Sequence, residues 1–204
     1  GNTTDFSTMW RPMWTFTRFK DTSPMKNIES TLVLGGCKSG KSRYAQHLAQ
    51  SLTESRKLYI ATCVPLDQEM EERVKKHQED RDMTWTTVEE PVHVADIVRR
   101  KSADYGVILL DCLTLWVTNL LMAEVKQDEI LRRTGDLCAA VRASSCPVVL
   151  VSNEVGAGIV PENSLARLFR DVQGIVNQIV ARSADRVVVT FAGLPLTLKG
   201  KAVL

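Results

Sequence analysis

"STLVLGGCKSGKS", residues 30–42, changes character halfway. The first half is a short apolar run closed by glycines, which reads as a buried strand. The second half fits G-x-x-x-x-G-K-[ST]. Tyr44, Ala45, Leu48, Ala49 and Leu52 then recur at helical spacing across residues 40–52. Strand, glycine-rich loop and helix are the context that a phosphate-binding loop requires. Glycines let the backbone curl until several N–H groups point inward, and the helix N-terminus adds partial positive charge where phosphate oxygens would sit. Gly35, Gly36, Cys37, Lys38, Ser39, Gly40, Lys41 and Ser42 are therefore candidate nucleotide-binding residues. Lys41 can reach the β- and γ-phosphates as a catalytic cation, and the Ser42 hydroxyl can bind Mg²⁺.

Beyond residue 52, strands and helices alternate. Residues 57–61, 105–111, 146–154, 186–193 and 195–199 read as strands, and residues 67–80, 92–100, 113–124, 128–143 and 161–184 as helices. This order predicts an α/β fold of the P-loop NTPase type: a mainly parallel sheet flanked by helices on both faces. Asp111 ends the run "VILLD". A carboxylate there, at the carboxyl end of a buried strand, suits a Mg²⁺ partner, although an N-cap for the helix that follows is the plainer role. In residues 161–184, Leu165, Leu168, Phe169, Val172, Val176, Ile179 and Val180 make an apolar stripe. Arg167, Arg170, Asp171, Gly174, Asn177 and Gln178 make a second stripe, which reads as a ligand or subunit surface.

Composition excludes several classes. A net charge of +2 gives no strong pull toward nucleic acid or anionic membrane. No apolar run is long enough for an integral membrane segment. Five cysteines without C-x-x-C spacing fit reduced thiols in a cytoplasmic protein better than disulfides or a zinc site. Residues 31–204 read as a single nucleotide-binding catalytic domain. Residues 1–30, rich in tryptophan and phenylalanine but lacking the apolar core of a secretory signal, read as an extension or tail. His47 reads as structural and His93 as a helix cap. His77, within "RVKKHQEDR", is on residue type alone either a solvated histidine or a nucleophile. These features leave open a small-molecule kinase, a motor or a nucleotide-dependent switch.

Four further stretches narrow the choice: "YIATCVPLDQEMEERVKKHQEDR", "WTTVEEP", "LLDCLTLWVTNLL" and "VSNEVGAGIVPENSLARLFRDVQGIVNQ". Together with "GGCKSGKSRYA", they resemble the bifunctional adenosylcobinamide kinase / adenosylcobinamide-phosphate guanylyltransferase family, over about residues 31–204. The resemblance implies two reactions. A nucleoside triphosphate, GTP or ATP with Mg²⁺, phosphorylates adenosylcobinamide. GTP then donates GMP to adenosylcobinamide phosphate through a GMP–histidine intermediate, giving adenosylcobinamide-GDP and pyrophosphate. The matching histidine is His77. The implied nucleotide contacts extend to Ala61, Thr62, Cys63, Gln78, Glu79, Asp80, Arg81, Glu89 and Asp111, with Ser42 and Asp111 at the metal. Arg81-Asp82 departs from the family's usual Arg-Pro. The resemblance also implies a homo-oligomer, a trimer. A neutral imidazole with a pKa near 6.5 suits the nucleophile's role, and Lys75, Lys76 and Arg81 could offset the triphosphate charge.

Overall fold

The computed structural model describes residues 29–64 and 82–201. The predicted helix at 67–80 lies outside these residues. Seven strands and five helices occur among the described residues. The strands are β1 (Ser30–Gly35), β2 (Lys57–Ala61), β3 (Trp85–Glu89), β4 (Val107–Asp111), β5 (Val148–Asn153), β6 (Arg186–Phe191) and β7 (Leu194–Lys199). The helices are α1 (Lys41–Leu52), α2 (Val94–Lys101), α3 (Leu113–Met122), α4 (Gln127–Arg142) and α5 (Ser164–Ser183).

One sheet has the order β3-β2-β4-β5-β1-β6-β7. Every pairing is parallel except β6 with β7, which is an antiparallel hairpin. The central strands are apolar on both faces because helices cover both, as a parallel sheet demands. On one face α1 packs Ala45, Leu48 and Ala49 against Val33, Tyr59, Val107, Leu109, Val149 and Val151. On the other, α2, α3, α4 and α5 pack against Leu32, Leu34, Ile60, Ile108, Leu110 and Leu150. Trp116 of α3 is almost fully buried there and donates its indole N–H to Val92 O at 2.9 Å, which meets the polar need of a buried indole.

The expected α/β architecture is thus present, with three departures. First, β3 has no counterpart in the sequence reading. "WTTVE" is half-buried at the sheet edge, so it carries neither a continuous apolar run nor an alternation. Second, Leu165 and Leu168, in the first turns of α5, are exposed rather than part of the buried stripe. Third, Asn177 leaves the outward stripe: it is buried between α5 and β5 and bonded to Ser152. Gly174 has open space where a Cβ would point, with no approach within 4 Å among the described residues. Arg167 and Arg170 donate to the carbonyls of Pro161, Glu162 and Ile159, bracing the loop that enters α5.

Candidate functional site

The phosphate loop leaves the carboxyl end of β1 and enters α1. Gly40, the residue before α1, has φ +92°, a left-handed conformation that glycine adopts without the steric cost of a Cβ. A Cβ there would lie 3.2 Å from Gly193 Cα, so the β6–β7 turn closes directly on the loop. Gly193 N–H donates to Ser39 O at 2.9 Å. Thr190 Oγ1 donates to Leu34 O at 3.3 Å. Ser39 Oγ therefore serves as donor to Thr190 Oγ1, at 2.8 Å. A side chain on Gly35 would collide with both hydroxyls. Ser39 is thus a buried brace within the loop, whereas Cys37 and Lys38 are exposed. Lys41 Nζ arches back to Gly36 O at 3.2 Å. The ammonium therefore sits over the space enclosed by the loop.

Strand alternation places the other candidates. Val107 and Leu109 face α1, so Asp111 faces α1. The same parity puts Ala61 and Glu89 on that face. In register, Glu89 lies opposite Ala61, and Ala61 opposite Asp111. The predicted Ala61, Thr62, Cys63, Glu89 and Asp111 therefore share one corner of the sheet's carboxyl edge. Thr62 is fully buried: its hydroxyl donates to Cys112 O and accepts from Cys112 N, both at 2.8 Å. Asn119 donates to Thr62 O and Pro91 O, tying the β2 and β3 exits to α3. Thr62 serves as scaffold, while Cys63 stands half-exposed at the rim. Asp111 is not a helix cap, because Cys112 holds that position.

The local field is negative. Burial, then the charges of Asp111 and Glu89, push the Cys63 thiol above its ordinary range. Burial, then Asp111, push Cys112 up to about 11. The donor set suits Mg²⁺, which is held by few protein oxygens and completed by water and substrate phosphates. No cluster of three or more His, Cys, Asp or Glu side chains able to cage a metal exists among the described residues.

His77, Gln78, Glu79, Asp80 and Arg81 lie outside the described residues. His47 is exposed on α1. His93 precedes α2 without a side-chain cap; Glu90 instead accepts from the N–H groups of Val92 and His93. The structure adds one residue that the sequence reading did not single out. Asn153 ends β5 directly opposite Gly35 and, by the parity of Val149 and Val151, faces α1. Its sequence signal is a polar residue closing an apolar run, the same signal as that of Asp111.

Loop, lysine and strand-end carboxylate on one edge of a mainly parallel sheet define a P-loop nucleotide-binding protein. The family model for cobinamide kinase / cobinamide phosphate guanyltransferase matches residues 31–198. The chain belongs to that family. It is 40% identical over 178 residues to the bifunctional adenosylcobalamin biosynthesis protein CobP of Pseudomonas aeruginosa, covering 83% of this chain and 97% of that one. It is 41% identical over 180 residues to CobU of Salmonella typhimurium, covering 82% and 98%. Among solved structures, the flagellar accessory protein FlaH of Methanocaldococcus jannaschii aligns with TM-score 0.46 and 16% identity, over 85% of this chain and 79% of that one. No helix among the described residues is long and apolar enough to cross a membrane.

Proposed function

We propose that Gly35–Ser42 hold the triphosphate for both reactions of the family, and that His77 carries GMP between GTP and adenosylcobinamide phosphate. The observation that carries this reading is the shared edge: the loop, Lys41, Asp111 and Glu89 all lie on the α1 face at the carboxyl ends of the strands. Backbone N–H groups of the loop bind phosphate oxygens, and Lys41 turns from Gly36 O to the β- and γ-phosphates. Ser42 and Asp111 hold Mg²⁺, which neutralises charge developing on the phosphates. Glu89 and Cys63 border the nucleoside. In the first step, the adenosylcobinamide hydroxyl attacks the γ-phosphorus of GTP or ATP, and a nucleoside diphosphate leaves. In the second, the His77 imidazole attacks the α-phosphorus of GTP, and pyrophosphate leaves. The phosphate of adenosylcobinamide phosphate then takes GMP from the histidine.

The same reading makes residues 31–204 one catalytic unit with residues 1–30 outside it, in a cytoplasmic homo-oligomer, a trimer. The outer strand β7, with Leu194, Leu196 and Leu198 all exposed, supports the oligomer.

Enzyme alone with α-³²P-GTP tests the reading. Acid-labile label mapped to His77 is expected. His77→Ala should lose the label and the adenosylcobinamide-GDP product while still phosphorylating adenosylcobinamide. Phosphorylation by the native protein without label would indicate a single-activity kinase, and binding with neither reaction a nucleotide switch. Lys41→Ala should abolish both reactions; full guanylyl transfer by that variant would separate the loop from the shared site.

A further inference from the structure

Asn153 has no part in the chemistry above, yet its surroundings are built with unusual care. Its N–H donates to Thr114 Oγ1 of α3 at 2.7 Å. Its carbonyl accepts from Asn177 Nδ2 of α5 at 2.9 Å. Because a carbonyl only accepts, Asn177 must present its NH₂ there and its Oδ1 the other way. That Oδ1 accepts from Ser152 Oγ at 2.7 Å and from Gln173 Nε2 at 2.9 Å. Gln173 Nε2 also donates to Ser152 Oγ at 2.8 Å. One backbone carbonyl thus fixes every amide orientation in the cluster. Two helices clamp the end of β5 by side-chain bonds, and the next residue, Glu154, donates its N–H to Gly35 O at 3.1 Å. At the end of this clamp Asn153 Oδ1 is buried, faces the α1 side, and has no hydrogen-bond partner among the described residues.

We propose that Asn153 Oδ1 accepts a hydrogen bond from the hydroxyl phosphorylated in the kinase step, and so aims that oxygen at the γ-phosphorus. The proposal rests on Gly35–Ser42 being the kinase's triphosphate site. A carboxamide oxygen needs a donor, and phosphate oxygens are acceptors. In a loaded loop, Lys41 spends its hydrogens on phosphate. The alcohol brings an O–H, whereas the guanylyl acceptor brings a phosphate. The register separates Asn153 from the metal's carboxylate as well. Asp111 lies opposite Val151, two residues below Asn153 along β5, about 7 Å at the strand rise. Asn153 is level with Gly35, where the loop begins. In the step itself, the alcohol oxygen bonds to the γ-phosphorus as the bond to the β,γ-bridging oxygen breaks. The nucleoside diphosphate leaves with the electron pair, and the hydroxyl proton is lost to solvent. The carboxamide orients the hydroxyl and takes no proton.

The test is Asn153→Ala in the full chain. Phosphorylation of adenosylcobinamide should fall about 10²-fold in kcat, the scale of a misplaced reactant. Nucleotide Kd, labelling from α-³²P-GTP and GMP transfer to preformed adenosylcobinamide phosphate should be unchanged. Asn153→Asp keeps an acceptor oxygen in the same place. Its kcat at saturating nucleotide should stay within about tenfold of the native enzyme, with a raised nucleotide KM from charge repulsion. Unchanged phosphorylation in the alanine variant, equal loss of both reactions, or loss of nucleotide affinity would overturn the proposal. If the alanine variant does not fold, the aspartate variant decides: a kcat loss beyond about 10²-fold overturns it. Lys41→Ala with intact nucleotide binding would instead break the phosphate-loop reading, independently of Asn153.

Discussion

The runs "VILLD" (107–111) and "VVLVSN" (148–153) end two neighbouring strands in a polar residue, yet only the first is conspicuous in the sequence. Asp111 breaks an apolar run with a charge. Asn153 follows a serine, so its run fades into polar residues and resembles an ordinary strand exit. In the fold the two have the same parity and face the same helix. They differ in height and support. Asp111 lies level with Val151, whereas Asn153 lies level with Gly35 and is held by α3 and α5. A charge at a strand end stands out in the sequence; a neutral amide stands out only through what surrounds it.

This contrast can be broken by substitution. The largest effect is expected at the charged tip. Asp111→Ala should lower kcat of both reactions by about 10²–10³-fold, as loss of a preorganised electrostatic group does, with a raised Mg²⁺ requirement in a metal titration. An unaffected guanylyl step would make the two reactions use different metal positions. Next comes the clamp. Asn177→Ala strips a partner from Ser152, Gln173 and Asn153 O at once. It should destabilise the fold by about 2–3 kcal/mol in urea unfolding, since buried groups left unpaired incur their full desolvation cost. Thr114→Val removes the acceptor for Asn153 N–H and the threonine hydroxyl's hydrogen bond with the Cys112 thiol. A smaller loss of about 1–2 kcal/mol is expected, and a cost equal to that of Asn177→Ala would mean that α3 holds the tip as firmly as α5.

The smallest effect is confined to alkaline solution. The Cys112 thiol is pushed up to about 11 by burial and then by Asp111, from an ordinary value of 9.0. Its folded pKa is the raised one. Below pH 9 the thiol is protonated folded or unfolded and costs nothing. As pH rises from about 9 to about 11, the unfolded chain loses this proton before the folded one, and stability falls. Cys112→Ala should remove that part of the decline in thermal melts across this window. An identical alkaline slope would assign it to other groups.

The phosphate loop was legible because its chemistry and its local structure are one pattern: strand, glycines, Lys41, helix. Most elements were legible for the same reason, their apolar periods being set by faces that local geometry defines. Strand β3 was missed because a half-buried edge needs no apolar run. Asn177 was misplaced because helical spacing counts polarity, and a polar residue bonded inside the core has the same letter as a solvated one. A mainly parallel α/β sheet, a phosphate-loop motif and a strand-end acid at Asp111 are readable from local pattern alone. Long-range packing was needed to show that Thr62 is scaffold, that the β6–β7 turn closes on Ser39 and Gly40, and that Asn153 faces the α1 side level with Gly35. Those facts depend on register between strands far apart in the chain, such as Gly35 opposite Asn153 and Thr190. Periodicity within one segment carries no information about which residue of another segment will lie beside it.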